Sequence, residues 1–338
     1  MITNIKQIAI LTGVSPSTVS RAISHPDKVA FATREKILKV VKKLGYEKNQ
    51  FAVNLRQQDS NSIGLIVTDI LNSFQANIIK AVQNIAYKND YNLIVCTSNE
   101  SQVIERKALS VLRANRLKGL VVIPAPGPAY ELSVGNNIPI IEIDRISSRE
   151  NVTQILLDND KGMYLAVQHL LKLKHQRIAC AVGNMQISSF HERMKSFYRY
   201  TKGKCESIDV ILPDKNTLME EAFQAFIKLM RGPRKRLPTA LIAGNNDIGK
   251  GIVRAIAKLD LKLPRDISLI CFDDTDWAQL YPCPITVISQ PAYEMGEFAA
   301  KKLLEQIENH QTIKHECTRF DPIFIVRKST TKNFINGG

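Results

Sequence analysis

The chain has 338 residues, with 46 lysines and arginines against 32 aspartates and glutamates and a formal net charge of +14 at pH 7. This length allows two or three domains, and the basic balance favours an anionic partner without deciding the fold. The sequence shows no signal-peptide pattern and no apolar run of membrane-spanning length, so neither secretion nor membrane insertion is expected. Its six cysteines are scattered with no C-x-x-C pair, which disfavours a structural zinc site and is typical of a reducing cytosol.

The first predicted element is a short helix that begins after Asn4. Ile5, Ile8 and Ala9 stand at positions i, i+3 and i+4, which places apolar side chains on one face. Asn4 precedes them and is a favourable N-cap, because its side-chain oxygen can accept a hydrogen bond from a free N–H of the first turn. Gly13 is predicted to end this helix.

A second short helix follows, and its two faces differ in chemistry. Ser15 is its predicted N-cap, and Pro16 falls at the first helical position, where a missing N–H costs nothing. Val19 lies on the apolar face, and the polar face carries Ser17, Thr18, Ser20 and Arg21. Two short helices joined by a glycine turn form a helix-turn-helix unit, whose second helix enters the major groove of DNA. Two ordinary surface helices remain the alternative on this pattern alone.

A third amphipathic helix, with Ile37 and Val41 on its apolar face, is predicted to end before Gly45. Three helices within about fifty residues can bury one small core. Residues 1–60 carry ten basic and four acidic side chains, a net charge of +6, as expected of a module that faces DNA phosphates. The polar stretch 47–61 is predicted to be a linker that contains a short helix.

From Ile63 onward, apolar runs alternate with helix-like segments. The runs are IGLIV, YNLIVC, GLVVI and IPIIEI in a first series and RIACAV, VIL, TALIAG and ISLICF in a second. This alternation predicts βαβ units in two doubly wound parallel sheets. A glycine-rich phosphate loop is missing from the sequence, which argues against a dinucleotide fingerprint and a P-loop.

Polar residues follow several of these predicted strands, namely Asp69, Asp144, Asn246 and Asp273. Ligands of open α/β sheets bind at the carboxyl ends of the strands. Carboxylate and amide groups in a cleft between two lobes would suit a polyhydroxylated ligand. Alternatively, an aspartate or asparagine after a strand serves only as a helix cap or turn former.

Motifs throughout the chain occur in the order and spacing of one protein family. They are GVSPSTVSR, DKV before ATREKI, LGYEKNQFAVNLR, SIGLIVTDILNSF, IDR at 143–145, HLLKLKHQRIACAVG, NND at 245–247, SLICFDDTDWAQL and ITVISQPAYEMG. Over about residues 2–330 the chain therefore resembles the lac-repressor (LacI/GalR) family of bacterial transcription regulators.

The resemblance implies an α/β protein with a small all-α helix-turn-helix head and a two-lobed, doubly wound parallel-sheet body like that of periplasmic binding proteins. The implied segments are the head at 1–46, a hinge helix or linker at 47–61, an effector-binding and dimerisation body at 62–330, and a tail at 331–338. The N-lobe would hold about 62–158 and 291–320 and the C-lobe about 159–290 and 321–330, with crossings near 158, 290 and 320.

The resemblance also implies a function. The chain is expected to be a DNA-binding transcriptional repressor of the bacterial cytoplasm and nucleoid. Its affinity for double-stranded, pseudo-palindromic operator DNA would be switched by a small effector, a sugar or sugar derivative, bound between the lobes. A homodimer is expected, and no metal, cofactor or membrane partner is. A purine- or nucleoside-responsive regulator of the same family remains an alternative and, more remotely, so does a binding protein without a regulatory role.

Positions that match the family's DNA contacts are Asn4, Ile5, Ser15, Pro16, Ser17, Thr18, Ser20 and Arg21 in the head, and Asn49, Ala52 and Leu55 in the hinge. In the family the hinge leucine wedges into the minor groove, and apolar wedges of this kind kink DNA. Two positions depart from the usual pattern. Lys48 replaces a common proline at the start of the hinge, and Ala30 replaces a serine that caps the third helix, a loss of about 1 kcal/mol.

Positions that match the family's effector contacts are Phe74, Gln75, Asp144, Arg193, Asn246, Asp273 and Gln290. Gln75 stands where members often have a second aromatic ring, which weakens the expectation of a flat purine ligand. Catalysis is not expected, because Asp273 and Asp274 are adjacent and would point to opposite faces of a strand. The sequence also contains no nucleophile-elbow motif.

Overall fold

The computed structural model describes residues 4–46, 60–128, 138–147, 152–213, 215, 217–309 and 316–333. Its internal contacts divide the chain into two units, the head unit Met1–Ser60 and the body Asn61–Gly338. The predicted hinge contacts Asn49, Ala52 and Leu55 lie outside the described residues and stay predictions.

Three helices form the head: α1 (Ile5–Thr12), α2 (Pro16–Ser24) and α3 (Phe31–Lys43). At the start of α1 the Asn4 side chain accepts a hydrogen bond from the Gln7 N–H, and the Asn4 N–H donates to the Gln7 side chain, which completes a capping box. Gly13 ends α1 with a φ of 69°, a left-handed conformation that costs glycine no Cβ strain. The helix boundaries therefore follow the signals read from the sequence.

The second and third helices begin differently. Ser15 caps α2 by accepting a hydrogen bond from the Thr18 N–H at 3.1 Å, and Pro16 is the first residue of that helix. Ala30 precedes α3 and provides no side-chain cap, so the departure seen in the sequence persists in the structure. The apolar faces of the three helices meet in one small core made of Ile8, Ala9, Val19, Ala22 and Ile37.

The body contains two six-stranded sheets among its described residues. The first has the order β11-β5-β4-β3-β1-β2 and is parallel throughout. Its strands are β1 (Ser62–Val67), β2 (Asn92–Thr97), β3 (Gly119–Val122), β4 (Ile140–Ile143), β5 (Thr153–Leu157) and β11 (Cys317–Phe320). With the helices α4 (Ser73–Lys88), α5 (Gln102–Ala114) and α11 (Ala292–Asn309) it forms the N-lobe.

The second sheet has the order β12-β10-β9-β8-β6-β7 and is parallel except for the antiparallel pair of β10 and β12. Its strands are β6 (Arg177–Val182), β7 (Glu206–Ile211), β8 (Ala240–Ala243), β9 (Ser268–Phe272), β10 (Thr286–Ser289) and β12 (Ile323–Ile325). Its helices are α6 (Asn159–Lys172), α7 (Ser188–Thr201), α8 (Leu218–Met230), α9 (Asn246–Lys258) and α10 (Asp276–Leu280). Together they form the C-lobe.

The chain passes between the lobes three times, after β5, after β10 and after β11. Strands β1, β3, β8 and β9 are buried along their whole length, as expected where helices cover both faces of a parallel sheet. The predicted α/β architecture is thus confirmed. The sequence reading missed β5, β11 and β12. Strands β5 and β11 mix polar and apolar residues, and β12 is only three residues long. In the described residues we find no helix that combines the length and apolarity needed to cross a membrane.

Candidate functional site

The head presents one face of α2 to its surroundings. Pro16, Ser17 and Arg21 are exposed, whereas Val19 and Ala22 on the opposite face are buried in the core of the head. The predicted contacts Pro16, Ser17 and Arg21 therefore form an outward group on α2. Thr18 and Ser20 are half-buried beside the outward group, and Ser15 is exposed at its start.

The hydroxyls at the start of α2 are already linked to each other. The Ser15 hydroxyl lies 2.7 Å from the Ser17 hydroxyl and 2.8 Å from that of Thr18. These contacts hold the first turn of α2 in place while leaving Ser17 exposed. At the start of α1, Asn4 is exposed and Ile5 is half-buried against the head core. Of these two predicted contacts, only Asn4 is displayed fully at the surface.

In the C-lobe, the carboxylate of Asp273 organises the predicted effector residues. Asp273 follows β9 and is 5% exposed. One of its oxygens accepts hydrogen bonds from the Asn246 backbone N–H at 3.0 Å and from the Asn246 side chain at 3.2 Å. Its other oxygen accepts from the Gln290 side-chain amide at 2.5 Å. The structure therefore brings together three predicted residues that are widely separated in the sequence.

Arg193 completes this wall from α7. Its Nε donates to Asn159 Oδ1 at 2.8 Å, and its Nη1 donates to the Gly244 carbonyl at 2.5 Å. The guanidinium carbon lies 4.1 Å from the centre of the Phe272 ring, which covers one face of the group. Burial lowers the pKa of Arg193, although the nearby Asp273 and Asp144 carboxylates oppose that effect. The side chain is only 2% exposed.

Several polar atoms of this C-lobe wall are buried without a hydrogen-bond partner among the described residues. They are Nη2 of Arg193, Oδ1 of Asn246 and Oε1 of Gln290. The set contains one donor group and two acceptors. Buried polar atoms are nearly always paired in folded proteins, so three unpaired atoms around one carboxylate make this wall a candidate ligand site.

The N-lobe wall contains a tightly paired charge cluster. Arg145 donates through Nη1 and Nη2 to the two carboxylate oxygens of Glu100, at 2.6 and 2.9 Å. Its Nε lies 3.3 Å from Asp144 Oδ2. Asp144 follows β4 and is 8% exposed. A bidentate pair of this kind fixes the guanidinium in one orientation.

Burial affects the two carboxylates of this cluster differently. It raises the pKa of Asp144, and the attraction of Arg145 and Arg193 does not cancel the effect. Burial also acts to raise the pKa of Glu100, but the Coulombic attraction of Arg145 and its hydrogen bonds hold that pKa below the usual range. Asp144 is therefore the carboxylate whose ionised form is disfavoured by its surroundings.

The cleft carboxylates share an unusual backbone conformation. Asp144 has a φ of 70°, Asp273 a φ of 74° and Glu100 a φ of 57°. Residues other than glycine rarely adopt this left-handed region, and those that do cluster at functional sites. Asp144 and Asp273 occupy equivalent positions after β4 and β9, one in each lobe. The same strained turn thus aims a carboxylate into the cleft from both sides.

Two of the hydrogen bonds that join the lobes lie near these residues. The Asn72 side-chain amide donates to Asp247 Oδ2 at 3.0 Å, and the Ile146 N–H donates to Ser188 Oγ at 2.9 Å. Charge interactions also reach across the cleft. Arg193 acts to lower the pKa of Asp144, and Asp273 acts to raise it. The two walls therefore face each other at close range.

Three predicted residues have other surroundings. Gln75 is 5% exposed, and its Oε1 accepts from the N–H groups of Thr68 and Asp69 while its Nε2 donates to the Thr68 hydroxyl. Phe74 is packed in the N-lobe core. Asp69 is exposed and accepts from the Leu71 N–H, the turn-forming alternative considered for it. The structure thus gives Gln75 and Phe74 structural contacts, and their contact with an effector stays a prediction.

The sequence reading missed Glu100, Arg145 and Asn159. Arg145 was visible as the last residue of the IDR motif, and Glu100 follows the YNLIVC run, so a search of every strand end would have found both. Asn159 gave no comparable signal, because its role comes only from contact with Arg193. Among the described residues, no group of three or more His, Cys, Asp or Glu side chains is placed to hold a metal ion.

Comparisons with known proteins agree with this arrangement. Residues 4–49 match the description "Bacterial regulatory proteins, lacI family", and residues 167–330 match "Periplasmic binding protein-like domain". The chain is 30% identical to the "Probable HTH-type transcriptional regulator EndR" of Paenibacillus polymyxa, over 98% of this chain and 99% of that protein. It is 28% identical to the "HTH-type transcriptional repressor PurR" of Vibrio vulnificus, over 97% of this chain and 98% of that protein.

The structure is also similar to that of the lac repressor dimer bound to operator and the anti-inducer ONPF. The TM-score is 0.83 at 25% identity, and the match covers 98% of this chain and 100% of that one.

Proposed function

Because this chain belongs to the LacI family of bacterial regulatory proteins, a family of DNA-binding transcriptional repressors rather than enzymes, we propose that an uncharged sugar or sugar derivative bound between its lobes switches its operator affinity. The observation that carries the proposal is the set of unpaired buried atoms around Asp273. A sugar hydroxyl both donates and accepts hydrogen bonds, so neighbouring hydroxyls can pair with Arg193 Nη2, Asn246 Oδ1 and Gln290 Oε1.

The charges of the cleft support an uncharged ligand. Glu100, Asp144 and Asp273 provide three carboxylates, against the two guanidiniums of Arg145 and Arg193. Arg145 is already held by a bidentate carboxylate. A phosphate or carboxylate on the ligand would be placed among these acidic groups without a free basic partner on the N-lobe side, and burying an unpaired charge is costly. Phosphorylated sugars and sugar acids are therefore not proposed.

A purine effector is the second candidate, because the chain is similar to the repressor named PurR of Vibrio vulnificus. A flat base in a protein site is usually stacked on an aromatic ring. Phe272 already carries the Arg193 guanidinium on its face, and Phe74 is packed in the N-lobe core. These contacts favour the sugar over the purine.

A thermal-shift screen tests the effector. The panel pairs neutral mono- and disaccharides with their phosphates, and adds hypoxanthine, guanine and nucleosides. A ligand at 100 times its dissociation constant stabilises the protein by about 2.7 kcal/mol, which is a measurable shift. We expect neutral sugars alone to give it. A shift with a purine and none with any sugar would replace the proposal by its alternative.

We propose that the head reads DNA through the outward face of α2, and that two heads of a homodimer read the two halves of a pseudo-palindrome. Selection of binding sites from random duplex DNA tests this. The double variant Pro16→Tyr/Ser17→Gln should change the selected half-site. A matched change at Lys39, an exposed position of α3, should leave the selected sequence unchanged. An unaltered half-site in the first variant would contradict the assignment of α2.

The missing cap of α3 offers a separate check on the head. Ala30→Ser should add a hydroxyl that accepts a hydrogen bond from a free N–H of the first turn, which stabilises a helix by about 1 kcal/mol. The measurement is the melting temperature of the head unit by circular dichroism.

A further inference from the structure

A second surface of the C-lobe has features that neither the DNA nor the effector uses. A cavity of about 800 Å³ lies between β7 and α8, and none of the cleft residues described above lines it. Its lining combines apolar side chains, Ile208 and Val210 from β7 and Ala225 and Leu229 from α8, with four carboxylates. The carboxylates belong to Glu206, Asp209, Glu220 and Glu221, of which Glu220 is paired with Arg254. We call this surface the β7–α8 groove.

The groove exists because α8 is held close to its neighbour α9. A Cβ atom on Gly251 of α9 would lie 2.2 Å from the Met219 carbonyl oxygen and 2.8 Å from the Ala222 Cβ, so only glycine allows this approach. Ala222 is buried, whereas Ile208 and Val210 on β7 stay half-buried. The helix that follows β7 therefore leaves the apolar side chains of that strand partly open.

Strand β7 also has an unpaired edge. It is the last strand of its sheet and, in the described residues, pairs only with β6. The Glu206 and Leu212 N–H groups donate to β6-side carbonyls, so the alternate residues Ser207, Asp209 and Ile211 direct their backbone groups to the free edge. Such an edge is a template for an added strand.

A dense group of basic side chains stands at one end of the groove. It consists of Lys228, Arg231, Arg234, Lys235 and Arg236, all exposed. In the part of the chain that the structure describes, none of the five forms an ion pair. Lys228 and Arg236 line the cavity itself. The five basic side chains at this end therefore outnumber the four carboxylates of the whole lining, which favours an acidic segment at this end of the groove.

We propose that the β7–α8 groove docks an extended, acidic segment of a partner protein, which adds a strand to β7. Backbone pairing with the free edge would supply affinity, and alternate side chains of the segment would enter the groove, as in other strand-addition complexes. Apolar residues would contact Ile208 and Ala225, and acidic residues would lie against Lys228 and Arg236. This inference goes beyond the effector and operator proposals and stands independently of both.

The test is a selection of peptides on the full-length protein. A displayed library of random linear decamers is selected on the wild type and counter-selected on the Lys228→Glu/Arg236→Glu variant. A control variant, Lys172→Glu/Lys258→Glu, changes the net charge equally at two exposed C-lobe positions outside the groove. Thermal melts establish that all three proteins are folded.

We expect enrichment of peptides that combine alternating apolar residues with an acidic end. Their affinity, by fluorescence anisotropy, should fall at least tenfold with the groove variant and less than twofold with the control. Gln224→Trp, which places a bulky ring in the groove, should give a similar loss. N-methylation of alternate peptide residues should abolish binding in one register only, because only one set of N–H groups pairs with β7.

Three results would overturn the proposal. The first is no enrichment that depends on the groove. The second is peptides whose binding is unaffected by N-methylation in either register. The third is that an amphipathic anion such as dodecanoate binds in the groove whereas none of the peptides does. This would assign the cavity to a small molecule. Effector and operator assays play no part in these readouts, so their failure would be distinguishable.

Discussion

The two walls of the cleft differ in how completely their polar groups are paired. On the N-lobe side, both terminal nitrogens of Arg145 donate hydrogen bonds to the Glu100 carboxylate. On the C-lobe side, Arg193, Asn246 and Gln290 each keep one buried atom without a partner. A cluster of charged residues is therefore not by itself a binding site. Arg145 Nε of the N-lobe wall also lacks a hydrogen bond, but it is ion-paired with Asp144 at 3.3 Å. We therefore expect the C-lobe wall to provide most of the hydrogen bonds to a ligand, and the N-lobe wall to set the charge around it.

The largest expected effect comes from the centre of the C-lobe wall. Asp273→Ala removes the acceptor of three N–H groups, and each buried donor left unpaired costs about 1–3 kcal/mol. We expect effector affinity to fall about tenfold or more, which corresponds to 1.4 kcal/mol per decade, with a lower melting temperature. Isothermal titration calorimetry measures the first effect. Asp273→Asn, which keeps an acceptor oxygen, is the matched control and should lose less.

This variant should also separate sensing from DNA binding. An effector acts only through its different affinities for two lobe arrangements. The Asp273→Ala protein should therefore bind operator normally at low temperature and no longer respond to effector. A variant that binds effector with unchanged affinity would contradict the comparison between the walls.

The N-lobe wall should respond to substitution mainly in stability. Arg145→Met leaves Glu100 without its partner, and loss of one member of a buried pair destabilises a protein strongly. Because the Glu100 side chain is 38% exposed and partly screened by water, we expect a cost of about 2 kcal/mol rather than the full buried value. Chemical denaturation measures it. The double variant Glu100→Gln/Arg145→Met should recover part of the loss, and failure to recover would show that the two side chains are not coupled.

The contacts between the walls should have a smaller effect. Ser188→Ala removes the hydroxyl that accepts the Ile146 N–H, a bond worth about 1 kcal/mol. We expect the joined arrangement of the lobes to lose that amount of stabilisation, with a change of about fivefold in effector affinity. Asn72→Ala, which breaks the hydrogen bond to Asp247, should change affinity in the same direction. Opposite changes in the two variants would argue against a shared role in holding the lobes together.

The smallest effect is expected from the charge state of Asp144. Burial raises the pKa of this carboxyl, so the folded protein binds its proton more tightly than the unfolded chain does. The ionised form therefore costs stability above the raised pKa, and that cost disappears as the pH falls toward the ordinary pKa of about 3.9. Asp144→Asn should melt higher than the wild type at pH 7.

The difference in melting temperature should then shrink as the pH is lowered toward 4. Thermal melts of both proteins from pH 4 to 8 give the comparison. A variant that melts lower than the wild type at pH 7 would mean that Arg145 and Arg193 stabilise the Asp144 carboxylate more than burial destabilises it.

Features that depend on near neighbours could be predicted from the amino-acid sequence. Asn4, Gly13 and Ser15 set the ends of the head helices through bonds that span no more than a few residues. The apolar runs determined the buried parallel strands, because such strands need apolar side chains on both faces. The position of Asp144 and Asp273 after two of those strands also followed from the chain, since strand ends of a parallel sheet face the same edge.

How these residues are paired, in contrast, depends on the tertiary fold. Glu100 and Arg145 are 45 positions apart, and Asn246 and Asp273 are 27 apart. Gln75 illustrates the limit, because the same amide that would suit a ligand instead pairs with the loop after β1. Whether a polar atom is paired depends on every group packed around it, and packing joins segments that no local pattern relates. For that reason the chain shows which side chains reach the cleft, and the fold alone determines which of them remain available to a ligand.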